Sequence, residues 1–418
     1  MQTLPKSAVH GGMALVGLGV FAAGVVLVRL LRPWDQAWQA CLLLMAWIAL
    51  LVLGIDLAWN KVHRRASTGL DPAHHDPSFR RTAVKLLGLL GSLGLLAVAY
   101  LVFPVYADEF YGPFFAMLLY LVPVWLVAAL PYFYLVDRRM REPHDGYWHA
   151  GRAMLLCWRE VDLEVLGQHL LGWTVKGFFL PLMFAYMCSD MGKLLAYGDP
   201  AGVRPGFDAA YDLMYFVDVT LVSVGYLVTF RVTDTHIRSS EPTFLGWAVA
   251  LACYQPFWEF VSGQYLAYRT DYDWQSWLPA GTPGYAAWGA VILLLTAIYL
   301  WATLSFAARF SNLTHRGILT NGPYRFSKHP AYLAKNVSWW LIAVPFLAHG
   351  GWLDGLLRCL MLLGVNVIYW LRARTEERHL SVDPVYVQYA LWMEQYGLLR
   401  AVPRLPGLGF LRYRVPEV

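Results

Sequence analysis

Apolar stretches about twenty residues long recur along the whole chain, each closed by a cluster of charges or by glycine and proline. A helix rising ~1.5 Å per residue needs roughly 20 such residues to cross a bilayer core. Ten runs come close to that length, at 11–31, 37–59, 84–106, 111–136, 169–189, 212–231, 243–264, 285–307, 332–348 and 353–371. The pattern predicts an all-α fold: a polytopic integral membrane protein of about ten transmembrane helices. Its N-terminal membrane region, 1–210, holds five of them, and 211–418 forms a second region ending in a helical hairpin and a polar tail. Gly88, Gly91 and Gly94 recur every three residues inside the third run, where small side chains let neighbouring helices approach closely. Between 137 and 168, Trp148 and Trp158 alternate with Arg152, Arg159, Glu160 and Asp162, a pattern suited to an amphipathic helix at the membrane interface.

The polar breaks carry the orientation. Lys61, Arg64, Arg65, Arg80 and Arg81 follow the second run, and Arg138, Arg139, Arg141, Arg152 and Arg159 follow the fourth, which places both connections on the cytoplasmic side. Asp108, Glu109, Asp271 and Asp273 fall on the opposite side, with only Arg269 beside them. Alternation then brings Arg231, His236, Arg238, Arg309, His315, Arg316, Arg325 and Lys328 to the cytoplasmic face, together with both termini. Arg29 and Arg32 run against this scheme, since they fall on the outer side.

Composition sharpens the class. Hydrophobic residues make up 58% of the 418 residues and charged residues only 15%, with a mean hydropathy of +0.44, outside the range of soluble domains. The first apolar run has a single preceding lysine, Lys6, and no small-residue cleavage site, and reads as a retained spanning helix. Cys41, Cys157, Cys188, Cys253 and Cys359 form no CxxC pair, so neither a disulfide framework nor a metal site is expected. His74 and His75 lack helical ligand spacing and read as solvated loop residues. Nothing in the chain suggests a nucleic-acid partner.

Two polar clusters carry the chemistry: NGPYRFSKHPAYLAKN over Asn321 to Asn336, and RARTEERHL over Arg372 to Leu380. Two apolar runs broken at His349-Gly350-Gly351 separate them, so the chain goes across and returns, leaving both clusters at one face. Pro323 and Pro330 hold the residues before them out of helix, and Pro330 suits the first turn of the ninth helix. Tyr324, Phe326, Tyr332 and Trp370 offer flat surfaces for an adenine. Glu376 and Glu377 suit ribose hydroxyls or a sulfonium, and Arg325, Lys328 and His329 suit a carboxylate or phosphate. Arg372 and Glu376 share a helix face, and Asn336 lies one turn beyond Tyr332. Taken alone, Arg372, Arg374, Glu376, Glu377 and Arg378 would pass for a charged stop after a spanning helix. Lys176, Asp218, Glu259 and Asn366 stand inside apolar segments, where ionisable or polar groups are costly. Either Lys176 pairs with Asp218 or Glu259 as a structural brace, or these groups recognise substrate in a cavity.

The order and spacing of these residues resemble the isoprenylcysteine carboxyl methyltransferase family and its phospholipid methyltransferase relatives. The resemblance rests on Gly322, Tyr324, His329, Pro330 and Tyr332, then, past the hairpin, Arg372, Glu376, Glu377 and Leu380. Asp383-Pro384-Val385-Tyr386, Tyr389 and Val402-Pro403-Arg404 extend it, and it covers about 285–405. Lys328 stands where the family usually has arginine, which keeps the charge and loses bidentate pairing. The resemblance implies S-adenosylmethionine bound at motifs 321–336 and 372–389 on the cytoplasmic side. Gly322, Tyr324, Lys328, His329, Pro330, Tyr332, Asn336 and Glu376 would form the cofactor site, with Arg372 and Glu377 orienting a lipophilic, membrane-embedded acceptor. A carboxylate acceptor needs no base, being ionised at neutral pH; an amine would lose a proton, to Glu377 or His329. Two other functions stay open: an NADPH-dependent sterol reductase-like enzyme with a similar terminal hairpin, and a non-enzymatic lipid transporter or lipid-binding protein.

Overall fold

In the computed structural model, residues 3–31, 36–196, 202–270, 272–402 and 409–415 are described. Arg32, Asp271, Pro403 and Arg404 lie outside them. Thirteen α-helices account for nearly all regular structure there: α1 (Met13–Leu30), α2 (Ala37–Ala58), α3 (Phe79–Val102), α4 (Gly112–Asp137), α5 (Gly146–Met154), α6 (Leu163–Ala196), α7 (Val203–Leu227), α8 (Phe244–Leu251), α9 (Trp274–Trp277), α10 (Pro283–Leu304), α11 (Pro330–Ala343), α12 (Trp352–Leu380) and α13 (Pro384–Tyr396). Two-residue strands, β1 (Ser239–Ser240) and β2 (Thr314–His315), pair antiparallel.

Eight of these helices are long and apolar enough to cross a membrane: α1 to α4, α6, α7, α10 and α12. The two remaining predicted spans are interrupted. The run expected over 243–264 stops as α8 at Leu251, turns through Cys253 to Pro256, and resumes as a π-helical segment at Glu259–Tyr265. The run expected over 332–348 ends as a helix at Ala343, because Val344 adopts a left-handed conformation (φ 36°) and Pro345 follows it. Trp274, beyond the π-helical segment, packs with Tyr285 at the start of α10 and Val344 at the end of α11.

The opposite end gathers the polar connections. Ala8 N–H donates to the Ile318 carbonyl (2.9 Å), Arg65 donates to the Ala8 carbonyl (2.6 Å), and Arg231 reaches the Thr68 carbonyl (3.3 Å). Two arginines counted as cytoplasmic charges are in fact buried braces. Arg309 lies between Asp56 (3.5 Å) and Asp234 (3.6 Å). Arg316 donates to the carbonyls of Gly225 (2.7 Å) and Val228 (2.6 Å), which the end of α7 leaves without helical partners, and to that of Phe310 (2.9 Å). Burial and the nearby Arg309 pull the Arg316 pKa down to about 9.

The largest apolar core joins α2, α6, α7 and the end of α10 through Leu44, Ile48, Phe179, Tyr226 and Leu304. Among the three spaced glycines, Gly88 is the critical one. A Cβ there would lie 2.0 Å from the Tyr147 carbonyl oxygen, so α5 lies directly against α3. A Cβ at Gly94 would meet open space. Lys176 pairs with neither Asp218 nor Glu259. Its ammonium donates to Thr229 Oγ1 (2.9 Å), Asp218 accepts from the Tyr299 hydroxyl (2.7 Å), and Glu259 faces outward.

Candidate cofactor and active site

The hairpin of α11 and α12 builds the site. Thr320 and Asn321 anchor its approach by donating to the Pro5 (2.8 Å) and Val9 (2.7 Å) carbonyls. Gly322 then turns the chain at φ 54°, where a Cβ would sit 2.8 Å from Ser305 Oγ. Pro330 opens α11 at its first turn, and Asn336 and Tyr332 lie along that helix. The polar run RARTEERHL is not a tail after α12 but its final two and a half turns. Its side chains therefore divide by face.

Tyr369, Arg372, Thr375, Glu376 and His379 share one face and line a cavity with Tyr324, Lys328, His329, Tyr332 and Lys335. Arg372 is 7% exposed, and its guanidinium lies 5.0 Å from the Tyr332 ring centre, 5.4 Å from Tyr254 and 5.9 Å from Tyr369. It donates to Asn312 Oδ1 (2.6 Å), while the Asn312 amide donates to the Tyr226 (2.8 Å) and Tyr254 (2.9 Å) hydroxyls. Among the described residues, no carboxylate comes within ion-pair distance of Arg372. Arg372 is thus a buried cation held by rings and an amide and not by a counter-charge. Beside it, Glu376 accepts from the Tyr332 hydroxyl (2.7 Å), and its carboxylate is 39% exposed.

Glu377 faces elsewhere. Its carboxylate is 6% exposed and held by Lys328 (2.8 Å), Arg374 (3.0 Å) and His329 Nε2 (3.2 Å), outside the cavity lining. Lys328 also reaches Glu394 of α13 (3.4 Å) and lies 5.0 Å from the Tyr413 ring centre. The lysine at the arginine position thus joins α12, α13 and the C-terminal segment as a point charge. The Tyr389 hydroxyl donates to the Tyr324 carbonyl (2.5 Å), so α13 also braces the connector from below. Burial raises the Tyr324, Tyr386 and Tyr389 phenols well above their ordinary range, with Glu376 or Glu377 nearby adding to the effect.

Of the residues singled out in the sequence, Tyr324, Lys328, His329, Tyr332, Arg372 and Glu376 converge on the cavity. Gly322 and Pro330 shape its rim. Asn336 turns to Asn366, whose amide donates to it at 2.5 Å, and is absent from the lining. Arg325 and Phe326 are exposed, and Trp370 lies on another face of α12, so none of these three lines the cavity. Tyr254, Asn312, Tyr299, Lys335 and Glu241 also line it, and sequence reasoning missed them. The signals were slight: a Tyr-Gln-Pro break in an apolar run at 254–256 and a lone asparagine in a short connection.

No curated protein and no solved structure matches the chain. Residues 287–382, from α10 through the polar end of α12, match the isoprenylcysteine carboxyl methyltransferase (ICMT) family, which is the family the two motifs resemble and the segment that frames this cavity.

Proposed function

We propose that this protein is a membrane methyltransferase that moves a methyl group from S-adenosylmethionine to a lipophilic acceptor, with an isoprenoid or lipid carboxylate favoured over an amine or thiol. The observation that carries this reading is Arg372, buried, caged by three tyrosine rings and free of any carboxylate partner among the described residues. It supplies what an anionic acceptor needs and a cationic one does not.

The donor set fits the cofactor. Tyr324 and Tyr332 offer aromatic faces, Glu376 offers an exposed carboxylate for hydroxyls or positive charge, and His329 and Lys328 offer donors for a carboxylate. When bound, S-adenosylmethionine would supply an electrophilic methyl group on a sulfonium. The chain's residues then have three tasks. Arg372 orients the acceptor carboxylate, whose oxygen is already ionised at neutral pH and needs no base. Glu376, with the Tyr332 hydroxyl fixing its rotamer, would hold the cofactor and so fix its position relative to the acceptor. Glu377 keeps Lys328 and His329 in place by charge, a bracing role from outside the cavity. The rings around Arg372 exclude water.

The arginine-rich connections after α2 and α4 lie at the same end as the cavity, which supports a cytoplasmic active site with both termini on that side. Calorimetric titration of the purified protein tests the cofactor directly. Saturable binding of S-adenosylmethionine, weakened by His329→Ala, is expected. Tight NADPH binding with no response to S-adenosylmethionine would instead make the protein a reductase.

A further inference from the structure

A second cavity, of about 890 Å³, lies in the N-terminal half between α3, α4, α6 and the segment after α7. That volume falls in the range of small-molecule sites. Its walls are of two kinds. Leu89 and Leu93 of α3 face Val122, Leu126 and Phe133 of α4 along an apolar arm. Leu126 is 39% exposed on the outer surface of the bundle, so this arm reaches the side that faces lipid. The other end is polar and holds Lys85, Asp137, Asp145, Lys176, Arg231 and His236.

The charges at that end do not cancel. Lys85 takes both carboxylates, at 2.7 Å from Asp137 and 3.5 Å from Asp145, and Arg81 adds a second contact to Asp137 at 2.7 Å. Farther round the wall, Arg238 is paired with Asp234 (3.2 Å), and Glu142 is exposed at the rim. Lys176 and Arg231 are left over. The Lys176 ammonium donates to Thr229 Oγ1 and lies 4.6 Å from the Trp173 ring centre; among the described residues the Arg231 guanidinium donates only to the Thr68 carbonyl, at 3.3 Å. Among the described residues neither has a carboxylate within ion-pair distance. His236 Nδ1, also in the lining, is buried and has no hydrogen-bond partner among the described residues. Two basic side chains without carboxylate partners beside an apolar arm would be stabilised in their charged forms by an anion.

We propose that this cavity binds an anionic amphiphile, its carboxylate or phosphate head at Lys176 and Arg231 and its apolar chain running between α3 and α4 past Leu89, Leu93 and Leu126. The site is separate from the cofactor cavity and independent of the methyltransferase reading. Strand β1 divides the two: Ser239 lines this one, Glu241 lines the other, and the Ser239 hydroxyl contacts His379 Nε2 at 2.9 Å across the wall.

The test is calorimetric titration of the full chain in uncharged micelles with palmitate, lysophosphatidic acid, hexadecanol and inorganic phosphate. The expected result is binding of palmitate and lysophosphatidic acid, with hexadecanol and inorganic phosphate each at least about tenfold weaker. Lys176→Met and Arg231→Gln are each expected to lower palmitate affinity by roughly 10- to 100-fold, the range for losing a charge-assisted hydrogen bond. Ala129→Phe, which fills the apolar arm, should lower affinity for both amphiphiles. Hexadecanol binding as tightly as palmitate would show a merely apolar cavity, and inorganic phosphate matching lysophosphatidic acid would show a free-anion site; either overturns the proposal. So would wild-type palmitate affinity in both charge variants. The headgroup series on the unmodified protein decides the matter even where a variant does not fold.

Discussion

Glu376 and Glu377 are adjacent in sequence and lie about 100° apart around α12, and their replacement by glutamine should give opposite phenotypes. Glu377 is 6% exposed and meets Lys328 at 2.8 Å, Arg374 at 3.0 Å and His329 at 3.2 Å. Removing one partner of a buried ion pair costs ~3–5 kcal/mol. Here the loss is smaller, because Lys328 keeps Glu394 at 3.4 Å and Arg374, 30% exposed, regains water. We expect Glu377→Gln to lose about 2–3 kcal/mol of stability. Glu376 has a 39% exposed carboxylate and one hydrogen bond, which glutamine can still accept. Glu376→Gln should cost under about 1 kcal/mol of stability while weakening S-adenosylmethionine binding by roughly 10- to 100-fold, as for a lost charge-assisted contact. Chemical denaturation in micelles reads the first quantity and calorimetric titration the second. Equal destabilisation by the two variants, or unchanged cofactor affinity in Glu376→Gln, would refute the division of faces.

Arg372→Lys should lower kcat/KM for the acceptor by roughly 10- to 100-fold, because an ammonium cannot lie flat among three rings while bonding Asn312, and steady-state kinetics with varied acceptor would show it. Gly322→Ala should destabilise the fold by about 1–2 kcal/mol, since the left-handed φ of 54° penalises a Cβ and Ser305 crowds it, measurable by denaturation. Burial, first, and then the Arg238 guanidinium hold His315 down to about 4 against the attraction of Asp383 at 3.3 Å. Between pH 6.5 and 4 the unfolded chain therefore binds this proton and the folded chain does not, so stability rises with pH across that window and this contribution is flat above it. Melting temperatures across the window should show a shallower slope for His315→Gln than for the wild type, and identical slopes would contradict the assignment.

The hairpin was legible in the sequence because apolar length is set by bilayer thickness, and because prolines and glycines mark where each arm begins and ends. The convergence of His329 and Tyr332 with Arg372 and Glu376 was legible because the hairpin returns the chain to one face, and because Arg372 and Glu376, four apart on a helix, share a side. Interruptions inside apolar runs were harder to read. Val344 takes a left-handed conformation that its side chain disfavours, and Cys253 to Pro256 break a run with only Gln255 and Pro256 to mark the place. Nor does charge counting distinguish Arg316, spent on backbone carbonyls, from an arginine left at a membrane edge. Tyr254 and Asn312 escaped notice for a related reason. Each is a single residue whose partner, Arg372, lies far away in the chain and comes near only once α8, α10 and α12 pack. Glu377 sits in the motif by sequence, yet one residue's rotation around α12 sends it into the Lys328 cluster.

Methyl transfer to a lipophilic anionic acceptor at Arg372 leaves a product that can be identified chemically. The most direct measurement is incubation of the purified protein with methyl-labelled S-adenosylmethionine and a total membrane lipid extract, followed by identification of the labelled product. The expected product is a lipid-soluble, base-labile methyl ester that Arg372→Ala fails to form. A labelled amine or thioether would contradict the acceptor assignment, and the absence of any labelled lipid would contradict the methyltransferase reading itself.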